Sequence, residues 1–261
     1  DITDKDRLAI RIGGQVKDWR PEAHFERAQL SLLDRFSQFA LFAARQAVAQ
    51  SGLTFQGALS DAAGVILGTA GGGLSTTDEN YRAVYQDGKD RVHPFVVPRL
   101  MHSAGASHIS IAFNLRGPRF SVSPVCASSN HAMGLAFQTI RSGGATVMLT
   151  GGSEAMLTFG GLKAWEGLRV MSPDACRPFS LNRNGMVQGE GAAVYVFEDY
   201  EQACSRGAEI LAEVIGFGMT SDAHDIVSPS PEGAARAMAA ALRSAAQMRP
   251  LARYHRQLPR V

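Results

Sequence analysis

The sequence is short of cysteine, of long apolar runs and of net charge, and each shortage excludes something. Its three cysteines, Cys126, Cys176 and Cys204, are an odd number without metal-ligand spacing. That argues against a disulfide framework or a zinc site and for a reducing compartment. The longest apolar stretches, such as Phe39 to Ala44 and Val147 to Leu149, end well short of the roughly 20 residues a membrane span needs. No transmembrane helix is expected. The opening Asp-Ile-Thr-Asp-Lys-Asp lacks the basic-then-apolar order of a secretory signal, so the chain is expected to be cytoplasmic or to lack its true start. Membrane association is left open. The 26 Lys and Arg residues barely exceed the 24 Asp and Glu residues, for a net charge of +2. Residues 249–261 hold Arg249, Arg253, Arg256 and Arg260 and no acid; without them 22 basic residues face 24 acidic ones, a net of −2. The mild basicity belongs to the tail and gives no reason to expect nucleic-acid binding.

What is present is an ordinary globular composition, 45% hydrophobic and 19% charged over 261 residues, enough to bury a sizeable core. Apolar residues at helical spacing predict a buried helix over 32–51, stopped by Gly52. Ala63 to Gly68 reads as an apolar strand running into the glycine loop Thr69-Ala70-Gly71-Gly72-Gly73, with a helix from about Thr76 to Gln86. Residues 94–118 read as a loop and a helix, and Phe120 to Ser123 as a strand. From Ala127 to Arg141 small and apolar residues occupy most faces, which predicts a helix buried nearly all round. Strands follow at Val147–Thr150, Ala192–Phe197 and Ile210–Phe217, with helices over 199–206 and Pro231–Ala246. This alternation is that of an α/β chain with a mixed, mostly buried sheet.

Two turns carry candidate chemistry. The glycine loop after Gly68 invites a phosphate-binding reading, since glycine lets amides approach an anion at a helix N-terminus. It lacks the spaced glycines of a dinucleotide fold and the Gly-Lys-Ser/Thr of a P-loop. A tight turn lining some other pocket fits it better. The second turn is Ser123-Pro124-Val125-Cys126-Ala127-Ser128-Ser129-Asn130-His131, a cysteine between a strand and a helix. A thiol at a helix N-terminus lies in the positive end of the dipole, which favours the nucleophilic thiolate. The Cys126 amide could also donate to an oxyanion. Taken locally, the pattern fits a buried structural cysteine equally well. His131 follows five residues later, about 140° away around the helix, and is expected to be structural, as are Cys176 and Cys204.

At these residues the sequence resembles the β-ketoacyl-acyl carrier protein synthase family, thiolase-like condensing enzymes, from about Leu33 to Ala246. The resemblance rests on ordered blocks: Asp34-Arg35-Phe36, Gly68-Thr69, Leu115-Arg116-Gly117-Pro118, Cys126 to His131, and Gly151-Gly152-Ser153-Glu154. Arg177-Pro178-Phe179-Ser180 with Arg183, Gly189-Glu190-Gly191-Ala192 and Ser221-Asp222-Ala223-His224 follow. Leu157 to Val170 and Asp225 to Ser230 look most similar to the rhizobial nodulation protein E group, which is associated with the unsaturated acyl chain of a lipo-oligosaccharide signal.

The resemblance implies an α/β thiolase-like fold whose N-terminal half has a mixed five-stranded sheet between helices, the second half being largely missing here. It implies decarboxylative condensation of an acyl thioester with malonyl-carrier protein, in fatty-acid or lipo-oligosaccharide acyl chain synthesis, with Cys126 as the acyl-accepting nucleophile. No metal or redox cofactor is implied. The implied partners are acyl carrier protein bearing acyl and malonyl groups and a second copy of the chain. Carried over by position, Gly71 stands where many relatives place a bulky aliphatic residue, so a roomier acyl pocket is expected. Trp165 matches an aromatic position near that pocket, Val96 one reached from the partner subunit, and Asp222 a loop flanking the site. Ordinary packing is the competing reading for these four.

The sequence also departs from the family. Two histidine segments and an intervening lysine complete the family's catalytic set, and neither histidine segment is found. Counting from Tyr254, the first histidine should stand at Leu258, and His255 is three residues early. The expected organisation is therefore a β-ketoacyl synthase N-terminal region over 1–248, incomplete at its start, and a divergent basic tail over 249–261 of frameshift or pseudogene type. On this reading the polypeptide alone does not condense and dissolves poorly, at most serving as a dimerisation module. A thiolase of the same fold fits the Arg-Pro-Phe and Gly-Glu-Gly blocks less well.

Overall fold

The computed structural model describes residues 4–252; Tyr254, His255 and Leu258 lie outside the described residues. The chain divides into two compact units, 1–202 and 203–261.

In the first unit a short helix α1 (Arg27–Leu30) leads to the long helix α2 (Arg35–Ser51), a single turn α3 (Ala58–Asp61) and strand β1 (Ala63–Gly68). Helices α4 (Leu74–Tyr85), α5 (Val96–Leu100) and α6 (Ala104–Phe113) separate β1 from β2 (Arg119–Val122). A 3-10 turn at Val125–Ala127 opens α7 (Ser128–Arg141), then come β3 (Val147–Ala155), α8 (Phe159–Gly167) and β4 (Glu190–Glu198). The 3-10 turn is where the Cys126 motif falls.

The sheet runs β2-β1-β3-β4, with β1 parallel to both neighbours and β4 antiparallel to β3. Strand period explains the two-sided core. Val65 and Leu67 of β1, with Val147 and Leu149 of β3, pack against Ala40, Leu41 and Ala44 of α2 and Ile109 of α6. The alternate residues Ile66 and Met148 meet Ala132 and Ala136 of α7. Every residue of β1 is buried, which is why its sequence is a continuous apolar run rather than an alternating one.

Three expectations are corrected. The described residues form four strands, not five. Helix α7 buries only Ser128, Ala132, Gly134 and Ala136, a single stripe against the sheet, rather than nearly its whole circumference. The segment Ile210–Phe217 has apolar residues as a strand would, yet is not one. A strand needs a ladder partner; within the second unit this segment meets a helix instead. That unit closes with α10 (Pro231–Ala252), preceded at its boundary with the first by α9 (Tyr200–Ser205). A Cβ at Gly218 would stand 2.4 Å from the Ala241 nitrogen of α10 and one at Gly216 2.7 Å from the Ala241 oxygen. Glycine is what permits that approach.

The Asp-Arg-Phe block is three consecutive side chains with three destinations. Asp34 caps α2 by accepting the Phe36 amide, and its second oxygen accepts the Thr76 amide at 2.7 Å and hydroxyl at 2.6 Å, tying α2 to α4. Arg35 donates Nε and Nη2 to the two oxygens of Glu190 at 2.8 and 2.6 Å, tying α2 to β4. Phe36 is fully buried among Phe39, Ala104 and Ala155. Two blocks far apart in sequence are thus one ion pair. The Glu190 side chain is only 3% exposed, and its Oε1 also accepts the Val16 amide.

Arg35→Ala leaves the Glu190 carboxylate buried without its cation and is expected to destabilise the fold by about 3 kcal/mol. Urea unfolding checks it, and a loss under about 0.5 kcal/mol would contradict it. Burial holds the Asp34 carboxyl above the ordinary aspartate range, the Thr76 and Phe36 donors offsetting only part of this. The folded chain therefore binds this proton more tightly than the unfolded chain. The Asp34 contribution falls as pH rises from about 4 through the higher folded value. Unfolding measured across that window should show this slope in the wild type and lose it in Asp34→Asn; equal slopes refute the assignment.

Candidate active site

Strand β2 ends beside Gly68, and the chain then turns sharply through Pro124 and Val125. Val125 has φ of 50°, a left-handed conformation that is a genuine outlier for a β-branched residue and costs on the order of 1–3 kcal/mol. The strain sits one residue before Cys126. Ser128, the first residue of α7, holds the turn: its hydroxyl donates to the Val125 carbonyl at 2.6 Å and lies 3.4 Å from the Thr69 carbonyl. Cys126 is exposed in the 3-10 turn leading into α7, the side of a helix where the backbone amides point outward.

The helix can stand there because the sheet beneath it has no side chains at the contact. A Cβ on Gly68 would lie 2.3 Å from the Ser128 carbonyl carbon, and one on Gly152 would lie 2.7 Å from the Ser129 Cβ. Gly68 and Gly152 are register partners in β1 and β3. Two adjacent strands thus present bare backbone to the N-terminus of α7.

Cys126 opens on a cavity of about 490 Å³ whose walls include Ala70, Met133, Glu154, Met156, Trp165 and Tyr195. Trp165 of α8 lines the same cavity as the thiol. Gly71 is adjacent to this wall: the space above its α-carbon is filled by Glu154 Oε1 at 3.2 Å and Met156 Cγ at 3.4 Å. Val96, half-buried on α5, does not line the cavity. Asp222 belongs to the second unit, where its carboxylate accepts the Ser230 amide at 2.7 Å beside Gly233 at the start of α10. His131 is half-buried on α7 and away from the cavity wall, and Cys176 is exposed and does not line it.

Sequence reasoning named Gly151-Gly152-Ser153-Glu154 as a family block but gave none of these β3 residues a role in the cavity they line. Glu154, two residues past the Gly68–Gly152 pair, turns its carboxylate under the glycine loop. It accepts the Ala70 amide at 2.6 Å and the Gly71 amide at 3.2 and 3.3 Å. Burial raises its carboxyl above the ordinary glutamate range, and the Ala70 and Gly71 amides pull it partly back. These are the amides a phosphate would need, so the loop's own carboxylate occupies its anion site. The signal available was an acid ending a strand parallel to the one that feeds the loop. Met186, which also lines the cavity, is placed by the bridge between Met171 and Met186. That segment is held by Arg177, Ser172 and Asn184 converging on Asp174, hydrogen bonds that keep the Asp174 carboxyl well below the usual range.

A cysteine in a strained turn between a strand and a helix, placed on a glycine-floored sheet and facing an apolar cavity, defines a thiolase-like condensing-enzyme scaffold. The chain belongs to the β-ketoacyl synthase family, whose N-terminal domain model matches residues 1–203. It is 49% identical over 243 residues to Nodulation protein E of Rhizobium leguminosarum bv. trifolii, covering 93% of this chain and 60% of that protein. It is 36% identical to 3-oxoacyl-[acyl-carrier-protein] synthase 2 of Staphylococcus aureus (strain N315), covering 92% and 59%. The crystal structure of a β-ketoacyl synthase from Burkholderia phymatum STM815 superposes with a TM-score of 0.84 at 31% identity, covering 94% of this chain and 62% of that one. The chain spans about three fifths of the length of the curated relatives it matches.

Gly152→Ala puts a methyl group into the Ser129 contact and is expected to lift α7 from the sheet at its cysteine end. Overpacking of this kind costs about 1–3 kcal/mol. Thermal unfolding together with the rate of Cys126 alkylation by iodoacetamide measures it. Wild-type values for both would mean that the close approach is not needed.

Proposed function

We propose that this chain is the acyl-accepting part of a β-ketoacyl synthase, and that Cys126 is its nucleophile. The observation that carries the reading is the exposed thiol of Cys126 at the mouth of an apolar cavity. In the proposed step the Cys126 sulfur attacks the carbonyl carbon of an acyl-carrier thioester, and the new carbon-sulfur bond forms as the bond to the carrier's sulfur breaks. The carrier leaves as its thiol with the proton lost by Cys126. Splitting the reaction through a covalent thioester replaces one difficult carbon-carbon bond formation with two easier steps. In the second step malonyl-carrier protein loses carbon dioxide, its carbanion attacks the thioester carbon, and the Cys126 sulfur departs.

The acyl chain, destined for a fatty acid or a lipo-oligosaccharide, lies along the cavity toward Trp165, with Gly71 on the neighbouring loop. The assembled enzyme is a cytoplasmic homodimer that draws both substrates from acyl carrier protein, with Val96 at a position reached from the partner subunit. The name of the Staphylococcus relative supports the carrier protein as partner, and the likeness to Nodulation protein E supports the acyl-chain assignment. Among the described residues no helix is long and apolar enough to cross a membrane, and no histidine lines the Cys126 cavity. Transfer to the thiol is accordingly expected of residues 1–261, and the decarboxylative step is not.

Incubation with an acyl-carrier thioester, followed by peptide mass spectrometry, is expected to find the acyl group on Cys126. Cys176 and Cys204 are also exposed and serve as internal controls. Adduct spread equally over the three, or none on Cys126, would overturn the assignment.

A further inference from the structure

The glycine loop between β1 and α4 has little in its own sequence to hold it. Gly71, Gly72 and Gly73 follow one another, so no side chain anchors the backbone and its conformational entropy is the highest a chain can have. It is nonetheless fixed from three directions. Ser123, three residues before Cys126, donates its hydroxyl to the Ala70 carbonyl at 3.3 Å, and a ring nitrogen of His102 lies 3.2 Å from the same oxygen. From below, Glu154 takes the Ala70 and Gly71 amides, with the Thr69 hydroxyl 3.5 Å from Oε1. The Thr69 hydroxyl in turn accepts the Gly72 amide at 3.1 Å.

Glu154 is the only carboxylate in this set, and charge-assisted bonds are about twice as strong as neutral ones. Its side chain also fills the space next to the Gly71 α-carbon. The carboxylate therefore does two things at once, holding the loop still and limiting the cavity on the Gly71 side.

We propose that Glu154 is the positioning residue of this site, its carboxylate bracing the Ala70–Gly71 backbone so that the cavity wall is rigid and the Cys126 thiol discriminates acyl chains by length. The inference rests on the acyl-transfer reading for its biological meaning, but its test does not depend on acyl transfer.

The probe is a series of n-alkyl methanethiosulfonates, from methyl to decyl, applied to the full chain carrying Cys176→Ser and Cys204→Ser. The Cys126 thiolate attacks the sulfenyl sulfur, a disulfide to the alkyl group forms, and methanesulfinate leaves. The ratio of decyl to methyl rates reads the wall, because the methyl reagent reports the thiol itself. In Glu154→Ala the ratio is expected to rise by at least about threefold, the order of one or two methylene contacts in an apolar pocket. Glu154→Gln, which keeps the length and one acceptor oxygen, should restore most of the discrimination. A folded Glu154→Ala chain with the wild-type ratio, or Gln and Ala variants that behave alike, would overturn the proposal.

Should Glu154→Ala fail to fold, hydrogen exchange on the chain with Glu154 intact decides the matter. The Ala70 and Gly71 amides are expected to exchange at least about 100-fold more slowly than in an unstructured chain, and unprotected amides would refute a braced loop. A chain that discriminates alkyl reagents through Glu154 but takes no acyl group from an acyl-carrier thioester would sink the acyl-transfer reading and leave this inference standing.

Discussion

The site depends on one close approach, that of the Ser128–Ser129 backbone of α7 to Gly68 and Gly152 of the central strands. Any side chain at either glycine would occupy the volume where the helix begins. With both absent, α7 sits low enough for the Ser128 hydroxyl to donate to the Val125 carbonyl beside that of Thr69, which holds the left-handed Val125 and presents Cys126 outward. The strain at Val125 persists because these neighbours over-determine the turn. Packing sets the position of the Cys126 thiol.

Around that contact, polar groups from distant parts of the sequence converge in pairs. Arg35 finds Glu190, Asp34 finds Thr76, and Glu154 finds the loop after β1. The Arg35–Glu190 pair joins two of the blocks that mark the family in sequence, and the other two tie a block residue to the segment that follows β1. The energetic logic differs among them. The Arg35–Glu190 pair is a buried ion pair whose value lies mainly in the penalty for breaking it. Asp34 is a buried and Glu154 a half-buried carboxylate, each bonded mostly by backbone amides; desolvation raises both and those hydrogen bonds pull them only partly back. The glycine loop offers the amides of an anion site, and the chain supplies the anion from its own strand.

The local pattern carried much of the fold. The spacing of Phe36, Phe39, Ala40 and Ala44 marked α2, Gly52 marked its end in the left-handed conformation, and the unbroken apolar run of β1 marked a strand buried on both faces. It was misleading where burial depends on a neighbour. Helix α7 is apolar enough to be covered all round, yet covers one stripe. The segment 210–217 has strand-like residues, but a strand exists only with a partner, and Gly216 and Gly218 bring it against α10 instead.

The same division runs through the site. By itself the sequence determined the family, through the order of its blocks, and pointed to Cys126 as the candidate thiol, because a cysteine between a strand and a helix is a local arrangement set by neighbouring residues. Tertiary structure alone decided which other side chains share its cavity. It brought Trp165 to the wall, kept Val96 away from it, and placed Glu154 under the loop eighty-four residues before it in the chain. Those contacts come from strand pairing between β1 and β3, where register rather than sequence proximity makes Gly68 and Gly152 neighbours. A sequence states which residues are adjacent along the chain, and hydrogen-bonded register decides which are adjacent in space.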